Sequence, residues 1–284
     1  MNLTNKSGLP EALLSAVRND SYSRGNSDIS VTQLIDSPMI RRLRAKHKDE
    51  IEEDVADRIW ALLGQSVHTI LERANLGGLV ETRVFWTFDE IKLSGQFDHL
   101  ENGILTDWKM TSVWSVIYGK TSWGSQLNVL DYLCGLNSHK VEKLQVVAVL
   151  RDWQKSKANE EGYPNNQVVV VPVKRWSTQE QEKYIVDRLR LHFYSEPTCS
   201  DLERWVKSGK FAVMKKGKKS ALRLLDSEKE AETWCMDNAF AGVDITTGLL
   251  AMPMGITIVE RPTSFGRCEN YCNVSKFCPV WNKQ

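Results

Sequence analysis

Across residues 54–74 the apolar positions Val55, Ile59, Leu62, Leu63, Val67, Ile70 and Leu71 recur at helical spacing, which predicts one long amphipathic helix. His68 and Glu72, four apart, share a face at the edge of its apolar stripe. Before it, Ser37-Pro38 supplies a cap and then a proline at the first helical position, so a shorter helix is expected through His47. Strand-like runs follow at 79–88, 91–100 and 104–109. Residues 123–136 return to a helical pattern, with Gln126 near the start. The continuous apolar runs 144–150 and 168–173 suit strands buried on both faces. Ser177 and Glu180 then form a capping box that opens a helix to Tyr194.

The flanks read differently. Residues 1–28 are polar and predict a loosely held, flexible arm. Beyond Glu196-Pro197, residues 211–214 and 220–225 predict a hairpin around the basic turn 215–219, and Ser227 with Glu230 opens a short helix. The expected fold class is α/β: a mixed central β-sheet flanked by helices over 29–195, a small α+β accessory lobe over 196–262 and a cysteine-rich cap over 263–284.

Candidate chemistry comes from one turn. Asn102-Gly103 is the strongest short signal for a two-residue hairpin, because both residues accept positive φ. Counting outward pairs Glu101 with Ile104, Asp98 with Asp107, and Gln96 with Lys109, so that Gln96, Asp98, Asp107 and Lys109 project from one face. The other face would pair Phe97 with Trp108. Directly opposed carboxylates repel, and a hard divalent cation offsets that repulsion. With Lys109 beside the second aspartate, the set suits metal-assisted attack on a phosphodiester.

Charge changes the picture little. Lys+Arg 37 against Asp+Glu 36 gives a net charge of +1, so any nucleic-acid surface must be a local patch. Residues 41–48 and 215–219 are the basic candidates. No apolar stretch reaches the roughly 20 residues needed to cross a bilayer. No signal-peptide pattern opens the chain, so a soluble, cytoplasmic protein without membrane partners is expected.

Of the 6 cysteines, Cys268, Cys272 and Cys278 fall close together near the C-terminus. Such thiolates select zinc or an iron–sulfur cluster. A fourth ligand would come from Cys235, Cys199, Cys134 or a histidine such as His47.

Taken together, these residues resemble the PD-(D/E)XK nuclease superfamily, in particular its RecB-like exonuclease branch with a C-terminal cysteine cluster, phage-encoded members included. Residues 64–68 resemble the helical histidine motif, Asp98 the first acidic position, Asp107-Trp108-Lys109 the (D/E)XK element, and Gln126 the glutamine of the next helix. The resemblance implies a restriction-endonuclease-like core in a bacterial cell or a phage-infected host. His68, Asp98, Asp107 and the Trp108 carbonyl would ligate Mg²⁺ or Mn²⁺, Lys109 would activate water, and Gln126 would steady the lysine or the DNA. Cys268, Cys272 and Cys278 would hold a 4Fe-4S cluster, with Zn²⁺ the alternative. Leu130 stands where the branch usually has tyrosine, and the helix at 36–43 lacks the upstream cysteine of iron–sulfur members.

The expected function is a metal-dependent DNA nuclease, an exonuclease more than a sequence-specific enzyme, with DNA and replication or recombination proteins as partners. A non-catalytic DNA-binding scaffold and an RNA-directed nuclease are the rivals.

Overall fold

The computed structural model describes residues 2–19, 25–74, 77–238, 240, 242–243, 250–251 and 255–283. The chain divides into two compact units, 1–198 with 276–280 and 199–275 with 281–284.

The first unit begins with β1 (Asn2–Thr4) and α1 (Glu11–Arg18). β2 (Ile29–Ser30), α2 (Val31–Ile35), α3 (Pro38–Lys46), β3 (Glu52–Asp54) and α4 (Val55–Arg73) follow. The segment expected as a flexible arm is therefore structured where it is described. β1 pairs in parallel with β3, α1 packs on α4, and Leu14 is buried. Its sparse apolar residues sit on one helical face, a pattern that overall polarity conceals. The cap expected at Ser37 forms, its Oγ accepting from the Ile40 amide. The expected basic patch is partly spent internally: Arg41 donates to the His192 carbonyl and lies over Phe193, while Arg42 pairs with Glu196.

The central sheet contains β4 (Leu79–Phe88), β5 (Ile91–Glu101), β6 (Ile104–Thr111), β7 (Lys143–Leu150) and β8 (Val168–Val173). Its order is β2-β5-β6-β7-β8, with β4 also pairing β5. The β6–β7 pair is parallel and β4–β5, β5–β6 and β7–β8 are antiparallel, so the sheet is mixed. Between β6 and β7 run α5 (Val113–Ile117) and α6 (Thr121–Leu136), and α7 (Thr178–Phe193) follows β8. The capping box of Ser177 and Glu180 opens α7 as expected. Helices thus flank a mixed sheet, as the patterning predicts. No helix among the described residues is long and apolar enough to cross a membrane.

One irregularity of β5 shapes the site. β4 pairs along nearly its whole length on one edge. The opposite edge is shared: β2 takes Leu93 and Ser94, and β6 takes only His99 to Glu101. Residues 95–98 are left between the two partners, and the sheet opens there. Gly95 sits in this gap because α6 and α2 press onto it; a Cβ there would stand 2.5 Å from Leu130 Cδ2 and 2.8 Å from Val31 Cγ2. α6 is anchored through Asp131, which accepts 2.6 and 3.0 Å bonds from Arg175 and a 2.6 Å bond from Gln181. Its apolar neighbours Leu127, Leu130 and Leu133 are buried in the main core with Leu93, Phe97 and Leu105.

The second unit contains α8 (Asp201–Arg204), β9 (Val206–Lys207), β10 (Lys210–Lys215), β11 (Arg223–Leu225), α9 (Glu228–Asp237), β12 (Gly242–Val243), β13 (Leu250–Ala251), β14 (Ile256–Arg261), β15 (Ser264–Phe265) and α10 (Gly266–Asn270). The hairpin around the basic turn forms as β10–β11, and β14 adds to the other edge of β10. Val213, Ala231, Cys235 and Ile256 make its core. Of the residues expected as a cysteine-rich cap, 263–275 and 281–284 belong to this unit and 276–280 to the first.

Candidate active site

The Asn102-Gly103 turn forms with φ of 48° and 75°, and the counted register holds from Glu101↔Ile104 to His99↔Thr106. There the ladder stops, one step short of Asp98 and Asp107. The expected cross-strand pairs Asp98–Asp107, Gln96–Lys109 and Phe97–Trp108 are therefore not ladder pairs. The Asp98 carboxylate enters the opening and accepts the Trp108 amide at 2.6 Å. Phe97 packs in the core with its ring edge-on to His139, while Trp108 lines a pocket with Leu71 and Val80. The physical cause is the shared edge of β5: a strand that must also pair β2 along that edge cannot keep its ladder with β6 throughout.

Two clusters meet around this opening. In the first, His68 on α4 lies with Nδ1 3.2 Å from Glu81 Oε1 and 3.6 Å from Asp98 Oδ1. His68, Glu81 and Asp98 are the one set of three such side chains, among the described residues, whose ligand atoms lie within 4.8 Å of one another. Glu81 has φ of +44°, a left-handed conformation that costs a non-glycine residue about 1–2 kcal/mol. The surrounding bonds hold it there: Gln96 Nε2 donates to Glu81 Oε2 at 2.7 Å, and Arg83 donates to Gln96 Oε1.

In the second cluster, Lys109 Nζ donates to Asp107 Oδ1 at 2.7 Å and Gln126 Nε2 to the same oxygen at 3.0 Å. Asp107 Oδ2 is buried with no hydrogen-bond partner. A buried carboxylate oxygen of this kind is costly unless something else satisfies it. Both clusters border one cleft of about 660 Å³, lined by His68, Glu81, Gln96, Asp98, Lys109 and Gln126 among others.

The electrostatics tie the clusters together. Burial, and then the charge of Asp107, push the Asp98 carboxyl up to about 7, against the pull of His68, Lys109 and the Trp108 amide. The hydrogen bond that His68 gives to Glu81 raises its pKa, partly offset by burial and aided by Asp98. Burial would raise Glu81, but bonds from His68 and Gln96 leave it below its ordinary value. Burial would lower Lys109, yet Asp107 and Asp98 hold it above the usual lysine range. The fit to a cation follows from chemistry: one imidazole nitrogen and hard carboxylate oxygens, one of them orphaned and one on a carboxyl that burial and a neighbouring carboxylate hold above its ordinary range.

Glu81 is the residue that the reading of the hairpin at Asn102-Gly103 misses. A second turn could have found it. Asp89 and Glu90 take φ of 47° and 65° between β4 and β5, and counting outward from Phe88↔Ile91 sets Glu81 opposite Asp98. Glu72, on the face of His68, also lines the cleft. The expected cysteine site has a different standing: Cys268 and Cys272 belong to the second unit and Cys278 to the first, and none of the 6 cysteines forms a disulfide. His47, a suggested fourth ligand, stacks on Phe277 at 4.0 Å and bonds Glu50 through Nδ1.

No family model and no curated protein matches this chain. Among solved structures it is similar to that of SSO0001, with TM-score 0.47 and 18% identity over 69% of this chain and 89% of that one. It is also similar to an Eubacterium rectale protein whose name reads "Putative exonuclease", with TM-score 0.31 and 12% identity over 46% of this chain and 52% of that one.

Proposed function

We propose that this chain is a Mg²⁺- or Mn²⁺-dependent DNA nuclease of the PD-(D/E)XK type, hydrolysing phosphodiester bonds from DNA ends. The observation that carries the reading is the convergence of His68, Glu81 and Asp98 with Lys109 and Gln126 on one cleft, both of the latter bonded to the buried Asp107, whose Oδ2 has no hydrogen-bond partner. Asp98 and Asp107 would be the carboxylate ligands, with His68 beside them and the Trp108 carbonyl as a further oxygen. A bound divalent cation supplies polarisation of the phosphate and acidification of a water. Lys109, held by Asp107, is poised to orient the attacking water or to neutralise charge on the phosphate. Gln126 keeps Asp107 Oδ1 in place. Glu81 orients His68 through its hydrogen bond, the usual way an outer carboxylate fixes a ligating imidazole.

The test is linear end-labelled DNA incubated with Mn²⁺ or Mg²⁺, with and without chelator. Cleavage that needs the metal and vanishes in Asp107→Ala is expected. Metal-independent cleavage, or cleavage retained by that variant, refutes the assignment. Absence of cleavage on any DNA with DNA binding retained favours a scaffold, and cleavage of RNA alone an RNA-directed enzyme. Cys268, Cys272 and Cys278 form a separate part of the proposal, with a 4Fe-4S cluster or Zn²⁺ as the ligand. Visible absorption with iron content, or zinc content in colourless protein, decides between them.

A further inference from the structure

Just past Lys109 the surface carries an unusual concentration of exposed rings and cations. Trp114 on α5 and Tyr118, the residue that caps its C-terminus, are stacked with centroids 5.6 Å apart and planes 13° from parallel. They are nonetheless 56% and 78% exposed. Trp60 on α4 is 57% exposed, with the Arg151 guanidinium 4.1 Å above its ring. Lys120 lies 6.0 Å over Trp123. Scattered exposed aromatics need no explanation, but a cluster of flat rings interleaved with cations does.

The patch is rigid and close to the cleft. The Arg151 amide bonds the Thr111 carbonyl at 2.9 Å, Asp152 Oδ1 accepts the Val113 amide at 2.8 Å, and Thr111 Oγ1 bonds Ser115 at 2.8 Å. α5 is thus pinned to the ends of β6 and β7. Lys120 is held below its ordinary value by burial and by the repulsion of Arg151 and Lys109, so these three cations are near one another. Val113 lies four steps along the chain from Lys109, a span of at most about 14 Å.

We propose that Trp114 and Tyr118, with Lys120, Arg151 and Trp60, form a stacking platform for the unpaired bases of single-stranded DNA leading to the cleft. The rings offer faces to successive bases, and the cations meet the phosphates between them. A duplex hides its base faces, so it can use the cations but not the rings. The placement relative to the chemistry rests on the nuclease reading; the binding itself does not.

The test therefore measures binding without cleavage. Fluorescence anisotropy in chelator follows a labelled oligothymidylate, a blunt duplex of equal length and an oligouridylate, with the full chain and with its Asp107→Ala variant. Trp114→Ala with Tyr118→Ala should weaken the single strand roughly 5- to 100-fold while changing the duplex by less than about twofold. Trp114→Phe with Tyr118→Phe keeps the rings and should restore most of the affinity, which excludes misfolding as the cause. Arg151→Gln with Lys120→Gln should flatten the salt dependence for both DNAs. An unchanged single-strand affinity, an equal loss on the duplex, or wild-type preference for duplex or RNA overturns the proposal. Loss of the nuclease reading in the cleavage assay leaves this binding result standing, and the reverse also holds.

Discussion

His68, Glu81 and Asp98 reach the cleft from α4, β4 and β5, and they are held mainly by one another. Asp107, Lys109 and Gln126 come from β6 and the crossover helix α6 behind it, and Asp107 is sealed at 2% exposure. The first cluster is assembled by long-range docking and carries the raised proton affinities of Asp98 and His68. The second is built by neighbours in sequence and locked by α6, which Asp131 and Arg175 fasten in turn. The difference teaches that one side of the site is the adjustable side, set by protonation and, on the proposed reading, by a bound cation. The other side is a fixed support for a lysine.

The sharpest way to break the comparison is on the fixed side. Asp107→Ala should reduce cleavage at least about 10²–10³-fold, since it removes a ligand and the anchor of Lys109. DNA binding in chelator should stay near wild type. A small change in rate would make the fixed side dispensable.

On the adjustable side, metal-free stability should respond to pH. Asp98 is raised from 3.8 to about 7, so the unfolded chain loses this proton first and stability falls as pH climbs through that window, by on the order of a few kcal/mol at most. His68 acts in the same direction: its contribution is full below 6.5 and lost as pH rises through its raised folded value. Mn²⁺ affinity should rise over the same range, because the cation needs both groups deprotonated. Urea melts with chelator and with Mn²⁺ check this, and a metal-free stability that rises with pH contradicts the assigned sign.

Glu81→Gln should weaken Mn²⁺ about 10–100-fold by calorimetry and lower the His68 titration midpoint seen by NMR. An unchanged midpoint would mean that Glu81 neither charges nor orients the imidazole. The smallest effect sharpens the role of the gap itself. Gly95→Ala should cost about 1–3 kcal/mol through contact with Leu130 and Val31, and thermal denaturation with near-wild-type metal affinity would separate packing from chemistry.

Much of this was readable in the residues. The helix predicted over 54–74 forms as Val55–Arg73, and the Asn102-Gly103 turn sets the counted register up to His99↔Thr106. Capping at Ser37, Ser177 and Ser227 was equally legible, because a cap is a bond between residues a few positions apart. The amphipathic face of α1 was hidden by polar composition, and Glu81 was hidden behind a hairpin that was not counted.

Periodicity, turn chemistry and capping are local, and the chain by itself determined the helices and strands of the central sheet region and the hairpin that brings Asp98 toward Asp107. Only the tertiary structure decided that Asp98 leaves the ladder for the Trp108 amide, that Glu81 joins His68, and that Asp107 keeps one oxygen unmatched. Those outcomes follow from β2 and β6 competing for one edge of β5 and from α6 pressing on Gly95. Both are contacts between segments far apart in the chain, and no local pattern encodes them.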